Sequence, residues 1–188
     1  MIERPATERP TTERPVIERT EELRLTAERE AGIAALLALC FDGFEGRSFF
    51  QNRHHVRLTA HEDGALIGHL GLSLRALRVA GALTDVVGIG DVGVHPDHRR
   101  RGIGAALVDA AIAEGRRSPA RFAVLLGTEA IYAAAGFSSV RGEVTATQMQ
   151  GARTGKITRR VETALMVRPL RGDTWDPKAP VDLCGWPF

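Results

Sequence analysis

The stretch Val92-Gly93-Val94-His95-Pro96-Asp97-His98-Arg99-Arg100-Arg101-Gly102-Ile103-Gly104-Ala105 restricts the fold more than any other segment. An apolar run ends at Val94, Pro96 and Asp97 turn the chain, and three arginines lead through two glycines into an alanine-rich sequence. The pattern predicts a strand that feeds a helix across a short basic turn. The first N–H groups of a helix lack intrahelical partners and carry the positive end of its dipole, and glycine lets a bulky group come close to the backbone. Such a turn is suited to an anion, above all a phosphate. The residues expected to hold it are Val92, Val94, Arg99, Arg100, Arg101, Gly102, Ile103, Gly104 and Ala105.

The spacing excludes the commoner phosphate loops. A P-loop needs Lys-Ser/Thr after its last glycine, and a dinucleotide fingerprint needs three glycines where only Gly102 and Gly104 occur. The glycine pair alone would also suit a basic turn that caps an ordinary helix; the preceding strand and the turn narrow the choice. Arg99-x-x-Gly102-x-Gly104 resembles the R-x-x-G-x-G/A signature of the GNAT superfamily of N-acetyltransferases. Tyr132, Gly136 and Phe137 are similar to its Y-x-x-x-G-F segment. The resemblance implies that the turn holds the pyrophosphate of acetyl-coenzyme A, and that backbone groups near Val94 pair with the pantetheine arm.

Length and composition suit a single globular domain. The chain has 188 residues, 44% of them hydrophobic, enough for one core. Its 25 basic and 23 acidic residues give a formal charge of +2, and the arginines gather in the N-terminal tail and the basic turn, so no nucleic-acid partner is expected. Cys40 and Cys184 make no disulfide framework. No signal-peptide core or membrane-length apolar run is seen, so a cytoplasmic location without a membrane partner is the expectation, with a homodimer allowed. Residues 1–20 repeat a Glu-Arg-Pro unit ending with Glu18-Arg19-Thr20, which predicts an extended low-complexity tail before a domain over 21–188.

Periodicity sets out the elements. A short strand is expected where Leu23 and Leu25 alternate with polar residues, then an amphipathic helix from Ala27 to Phe41 and a pocket-lining loop through Arg47. Strands follow at Val56–Ala60, Ala65–Val79 and Thr84–His95, with a helix over 104–114 stopping at Gly115. A buried strand over Phe122–Leu126, a short helix capped by Thr128 and a last strand over Glu162–Val167 complete the series. Gly88, Gly90 and Gly93 suggest a bulge or close backbone approach in the third of these strands. The expected fold is α/β (α+β): a mixed, mostly antiparallel sheet flanked by helices. The resemblance implies a splayed strand pair that binds acetyl-CoA.

Acetyl transfer to an amine needs a neutral nucleophile, a polarised thioester and a proton for the leaving thiolate. An alkylammonium is mostly charged at neutral pH, which costs roughly 4 to 5 kcal/mol of barrier unless a base removes the proton. Asp91 is the candidate base, directly or through water; an equal alternative is that it bonds loop N–H groups. Tyr132 is the candidate acid, implied by the family motif to face the coenzyme sulfur, the alternative being a buried core tyrosine. The Val94 N–H would polarise the thioester oxygen. No metal is needed, and the adjacent His54 and His55 cannot easily chelate one ion.

Within the superfamily, the segment Glu62–Gly104 and the tail around Asp182 are similar to the branch of aminoglycoside 2′-N-acetyltransferases and nodulation N-acyltransferases. That resemblance implies an acceptor site at Asp42, Glu45 and Asp182; taken by themselves the three suit solvated loop carboxylates better. Three functions follow: acetylation of a small amine such as an aminoglycoside or amino sugar, a non-catalytic acyl-CoA-binding regulatory module, or an N-acyltransferase for a longer acyl chain.

Overall fold

A computed structural model describes residues 15–150 and 153–188. The first strand, β1 (Val16–Glu21), starts where the proline repeat ends. Free of proline, its N–H groups can join a ladder, and it pairs antiparallel with β2 (Val56–Glu62) from Val16↔His61 to Glu21↔Val56. The expected tail therefore ends earlier than residue 20, and its first fourteen residues lie outside the described ones. The strand expected at Leu23 and Leu25 is a 3₁₀ turn, Glu22–Arg24. The next element, α1 (Ala27–Cys40), is capped by the Thr26 hydroxyl, which accepts from Arg29 N at 3.3 Å.

The centre of the sheet is a hairpin of β3 (Ala65–Val79) and β4 (Ala82–Val94). It is followed by α2 (Ile103–Arg117), β5 (Phe122–Leu126), α3 (Ala130–Ala134), β6 (Ser138–Ser139), β7 (Glu143–Gln150), β8 (Arg153–Val161), β9 (Leu165–Pro169) and β10 (Val181–Asp182). The strand order is β6-β9-β5-β4-β3-β10-β7-β8, with β2 and then β1 beside the first half of β3. Of these contacts, β4 with β5 and β10 with β7 are parallel.

Several boundaries differ from expectation for local reasons. Gly115 does not stop α2, because it packs against Leu170, where a Cβ would come within 3.1 Å of Cδ1. Thr128 does not cap α3; Glu129 stands at that position with no side-chain bond. The last expected strand begins later, at Leu165. The β7–β8 hairpin has no counterpart in the sequence reading. Its polar residues face solvent and Val144 is its one buried side chain, so no apolar alternation marks it.

Helix α2 lays Leu107, Val108, Ala111 and Ile112 on Leu58, Ala60, Ile67 and Leu70 of β2 and β3. Each of the leucine, isoleucine and valine side chains among them contributes roughly 1.5–3 kcal/mol. A second cluster joins β3, β4, β5 and β9 to Trp175 and Leu183. Within this apolar frame Arg57 is wholly buried. Its guanidinium donates to both Glu22 oxygens, at 2.6 and 3.0 Å, and to Ser48 O at 2.6 Å. Burial raises the Glu22 carboxyl, but Arg57 and Arg53 outweigh it and hold the group below its ordinary value. Arg57 Nη1 also lies 3.2 Å from His69 Nε2, while His69 Nδ1 lies 2.8 Å from Asp91 O. A neutral imidazole fits both contacts, donating through Nδ1 and accepting at Nε2.

Burial, with the Arg57 charge alongside, pushes the His69 imidazole down from 6.5 to about 3. The unfolded chain thus takes up this proton near pH 6.5 and the folded chain only near 3, so stability is lost progressively as pH falls through that window. Chemical denaturation between pH 7 and 4 should show that loss, about 3 kcal/mol by pH 4, and His69→Gln should flatten the slope.

Candidate active site

The site begins where β4 leaves β5. These strands pair only from Val86↔Phe122 to Ile89↔Leu125. Just beyond, the β3–β4 register slips between His69 and Gly71, and Asp91 adopts φ +51°, a left-handed conformation unusual for aspartate. This is a β-bulge, which bends β4 and re-aims the side chain at its crest. The residue at the crest is Asp91, 11% exposed.

Two neighbouring hollows result. The slot between the strand ends is about 650 Å³, walled by Val92, Gly93 and Val94 on one side and Leu126 to Glu129 on the other. Because His95 N donates to Ile67 O at 2.9 Å, alternation turns the Val94 N–H away from β3 and toward the slot. The Val94 carbonyl accepts from Cys40 Sγ at 3.4 Å and Arg99 Nε at 3.2 Å. At the far end Gly102 caps α2 at φ +81°, and a Cβ there would meet nothing within 4 Å. The first helical bond runs from Ala106 N to Gly102 O, which leaves Ile103, Gly104 and Ala105 without intrahelical acceptors for their N–H groups.

Arg99, Arg100, Gly102, Ile103, Gly104 and Ala105 all line this slot, as do Val92 and Val94. Arg101 does not: it makes a two-pronged ion pair with Glu62 and contacts His98 Nδ1 at 2.9 Å. His98, which the sequence reading passed over, lines the slot instead.

The second hollow, about 320 Å³, contains Asp91, Asp42, Phe41, Phe44, Phe50 and Phe188. It meets the slot at Phe41, Val92, Leu126 and Tyr132. The Tyr132 ring is buried against Gly127, where a Cβ would fall 2.5 Å from Cε2, and stands edge-on to Phe137 at 6.3 Å. Burial, with Glu129 nearby, raises the phenol above its usual value, so it stays protonated at neutral pH. Of the three carboxylates expected to bind an acceptor, only Asp42 lines the hollow. Glu45 lies 3.5 Å from Arg47 in the open, and Asp182 accepts from Cys184 N at 2.8 Å in its own turn.

His54 is buried, with Nε2 at 2.8 Å from Asp91 Oδ2 and Nδ1 at 3.4 Å from Ser73 Oγ. Gly71 and Gly90, partners across the ladder, make room for the ring: a Cβ on Gly71 would lie 2.2 Å from its Cδ2. The paired glycines were the available signal, but sequence does not show which side chain fills the gap. His55 points the other way and accepts from Leu74 N at 2.8 Å. Among the described residues no group of three His, Cys, Asp or Glu could hold a metal, and no helix is long and apolar enough to cross a membrane.

The acetyltransferase (GNAT) domain family matches residues 23–140. The chain belongs to this family. The GNAT N-acetyltransferase YhbS of Escherichia coli, solved in complex with CoA, superposes with TM-score 0.61 at 22% identity over 90% of this chain and 89% of its own. A GNAT acetyltransferase of Brucella melitensis, in complex with acetyl-CoA, gives 0.55 at 21% identity over 88% and 94%. Eis1 of Mycobacterium abscessus gives 0.55 at 23% identity, over 69% of this chain and 33% of Eis1. At these identities the likeness is one of fold. No curated protein matches the sequence.

Seating of His54 on the bare glycine pair predicts strong coupling. Gly71→Ala should cost about 1–3 kcal/mol in urea denaturation, and the double variant Gly71→Ala with His54→Ala should lose clearly less than the sum of the single changes.

Proposed function

We propose that this GNAT domain transfers an acetyl group from acetyl-CoA to the primary amine of a small molecule. The observation that carries the reading is the position of Tyr132 and Val92, shared between a slot floored by a helix N-terminus and a hollow that holds Asp91. The free N–H groups of Ile103, Gly104 and Ala105, with Arg99 and Arg100, suit a diphosphate. The edge of β4 at Val94 offers backbone partners to an amide-bearing arm. Bound there, acetyl-CoA supplies an activated acetyl thioester.

Asp91 accepts the proton that the ammonium loses, directly or through one water, and so frees the lone pair that forms the new C–N bond. His54 is a positioning residue: its Nε2–H holds the carboxylate, while Ser73 orients the ring. The Val94 N–H polarises the carbonyl oxygen. As the C–S bond breaks, the Tyr132 hydroxyl gives its proton to the sulfur and recovers one from solvent. No hydrogen bond among the described residues occupies that hydroxyl.

The narrower reading, an aminoglycoside or amino-sugar acceptor of the 2′-N-acetyltransferase and nodulation branch, needs Asp42, Glu45 and Asp182 to act together, and they do not share the hollow. A regulatory module that binds acyl-CoA without turnover would have no use for the buried His54–Asp91 pair at the crest of a bulge. We place the protein at work in the cytoplasm, where acetyl-CoA is made and used.

Tyr132→Phe should leave the KM for acetyl-CoA within about twofold and lower kcat about a hundredfold, followed by release of free thiol. Unchanged turnover would remove Tyr132 as the acid. Titration calorimetry with coenzyme A should show affinity falling about tenfold for Arg99→Ala and staying within about twofold for Arg101→Ala, whose partner is Glu62.

A further inference from the structure

The acceptor hollow carries more chemistry than a generic amine site requires. Phe41, Phe50 and Leu126 are 38%, 44% and 38% exposed, large apolar side chains turned toward a concavity instead of a core. Phe44 is buried and anchored among Ile33 and Leu37 of α1. It stacks on Phe41 with ring centroids 5.4 Å apart, and Phe50 tilts on it at 5.7 Å. One wall is therefore a supported aromatic face. Phe188 also lines the hollow, its ring filling the space over β4 where Gly88 lacks a side chain, with the Arg75 guanidinium 5.0 Å from its ring centroid.

The anions are few. Asp91 sits deep and Asp42 is exposed, while Glu45 and Asp182 are engaged elsewhere. A polycation desolvated here would meet aromatic carbon with most of its charges unpaired, which is costly. A single ammonium on an apolar body meets Asp91 with its charge and the phenylalanines with its skeleton. The volume, about 320 Å³, stands at the lower end of the range of roughly 300–1,000 Å³ for small-ligand cavities. It suits one ring with a short arm better than a chain of amino-sugar rings.

Building on the acetyltransferase reading, we infer that the acceptor is an apolar primary monoamine of the arylalkylamine type, its ring on Phe41, Phe44 and Phe50 and its nitrogen at Asp91. The carboxylate at the inner end of the hollow is what favours an amine over an extended acyl chain, which would bring no charge to meet it.

The test compares kcat/KM for 2-phenylethylamine, hexylamine, spermidine and tobramycin with acetyl-CoA, and repeats the best amine with octanoyl-CoA, while calorimetry follows acetyl-CoA binding alone. We expect 2-phenylethylamine to exceed spermidine and tobramycin by more than about tenfold. Phe50→Ala, at an exposed position that lines only the acceptor hollow, should raise the KM for 2-phenylethylamine about tenfold and leave that for acetyl-CoA unchanged. A preference for either polycation overturns the inference and leaves acetyl transfer standing. A preference for octanoyl-CoA overturns the inference and the acetyl-donor reading together, and binding of acetyl-CoA with none of the amines acetylated overturns the inference and favours the non-catalytic module. No heat with acetyl-CoA from folded protein overturns the acetyl-transfer reading itself, and this inference with it.

Discussion

The parting of β4 from β5 is the constraint from which the rest of the site follows. Two parallel strands that pair over four residues and then diverge leave backbone groups without ladder partners inside a sheet, where unpaired groups are costly. Such an edge persists only if something else is meant to bond it, at least part of the time. The bulge at Asp91 sets the divergence, and helix α2, packed on β2 and β3, fixes the distance from the strand edge to its own N-terminus. A single irregularity in one ladder thus provides a backbone edge for an extended arm and aims a carboxylate past its end.

Asp91 is held through two different atoms by two different histidines. His69 takes its main-chain carbonyl and is itself tied to buried Arg57; His54 takes its side chain. The division is physically useful. Burial and the Arg57 charge keep His69 neutral at neutral pH, so proton uptake does not loosen the bulge there, and the charge of Arg57 is balanced by Glu22 instead of by Asp91. Asp91 Oδ1 makes no hydrogen bond among the described residues, while its main-chain carbonyl and Oδ2 are both pinned.

The parts legible in the sequence were those with a strong local cause. The basic turn and its glycines, the long β3, and β5 were read from Arg99–Gly104, from a leucine-rich stretch bounded by two turns and from an apolar run, because each depends on residues adjacent in the chain. The β7–β8 hairpin lacks a buried face and so lacks a pattern. The proline repeat was extended by five residues too many because its charge period continues through Glu18-Arg19 after the prolines stop. Arg101 was placed in the cradle because nothing local reveals that Glu62, thirty-nine positions earlier, claims it.

The second hollow was the least legible, for a reason that concerns glycine. Gly88, Gly90 and Gly93 read as a weakened strand, with a bulge or a close approach as the options. The structure gives each a different neighbour: Phe188 on Gly88, His54 and Phe188 near Gly90, and Cys40 against Gly93. A glycine in a strand announces an absence without naming its occupant, and the occupants come from residues 40, 54 and 188, far apart in the chain. The cost in strand stability falls on the segment where the ladder is already interrupted by the bulge, so the site concentrates its local weakness in one place. The neighbouring β3–β4 pairing, long and continuous toward Val79, then carries the rigidity that positions Asp91 and the slot alike.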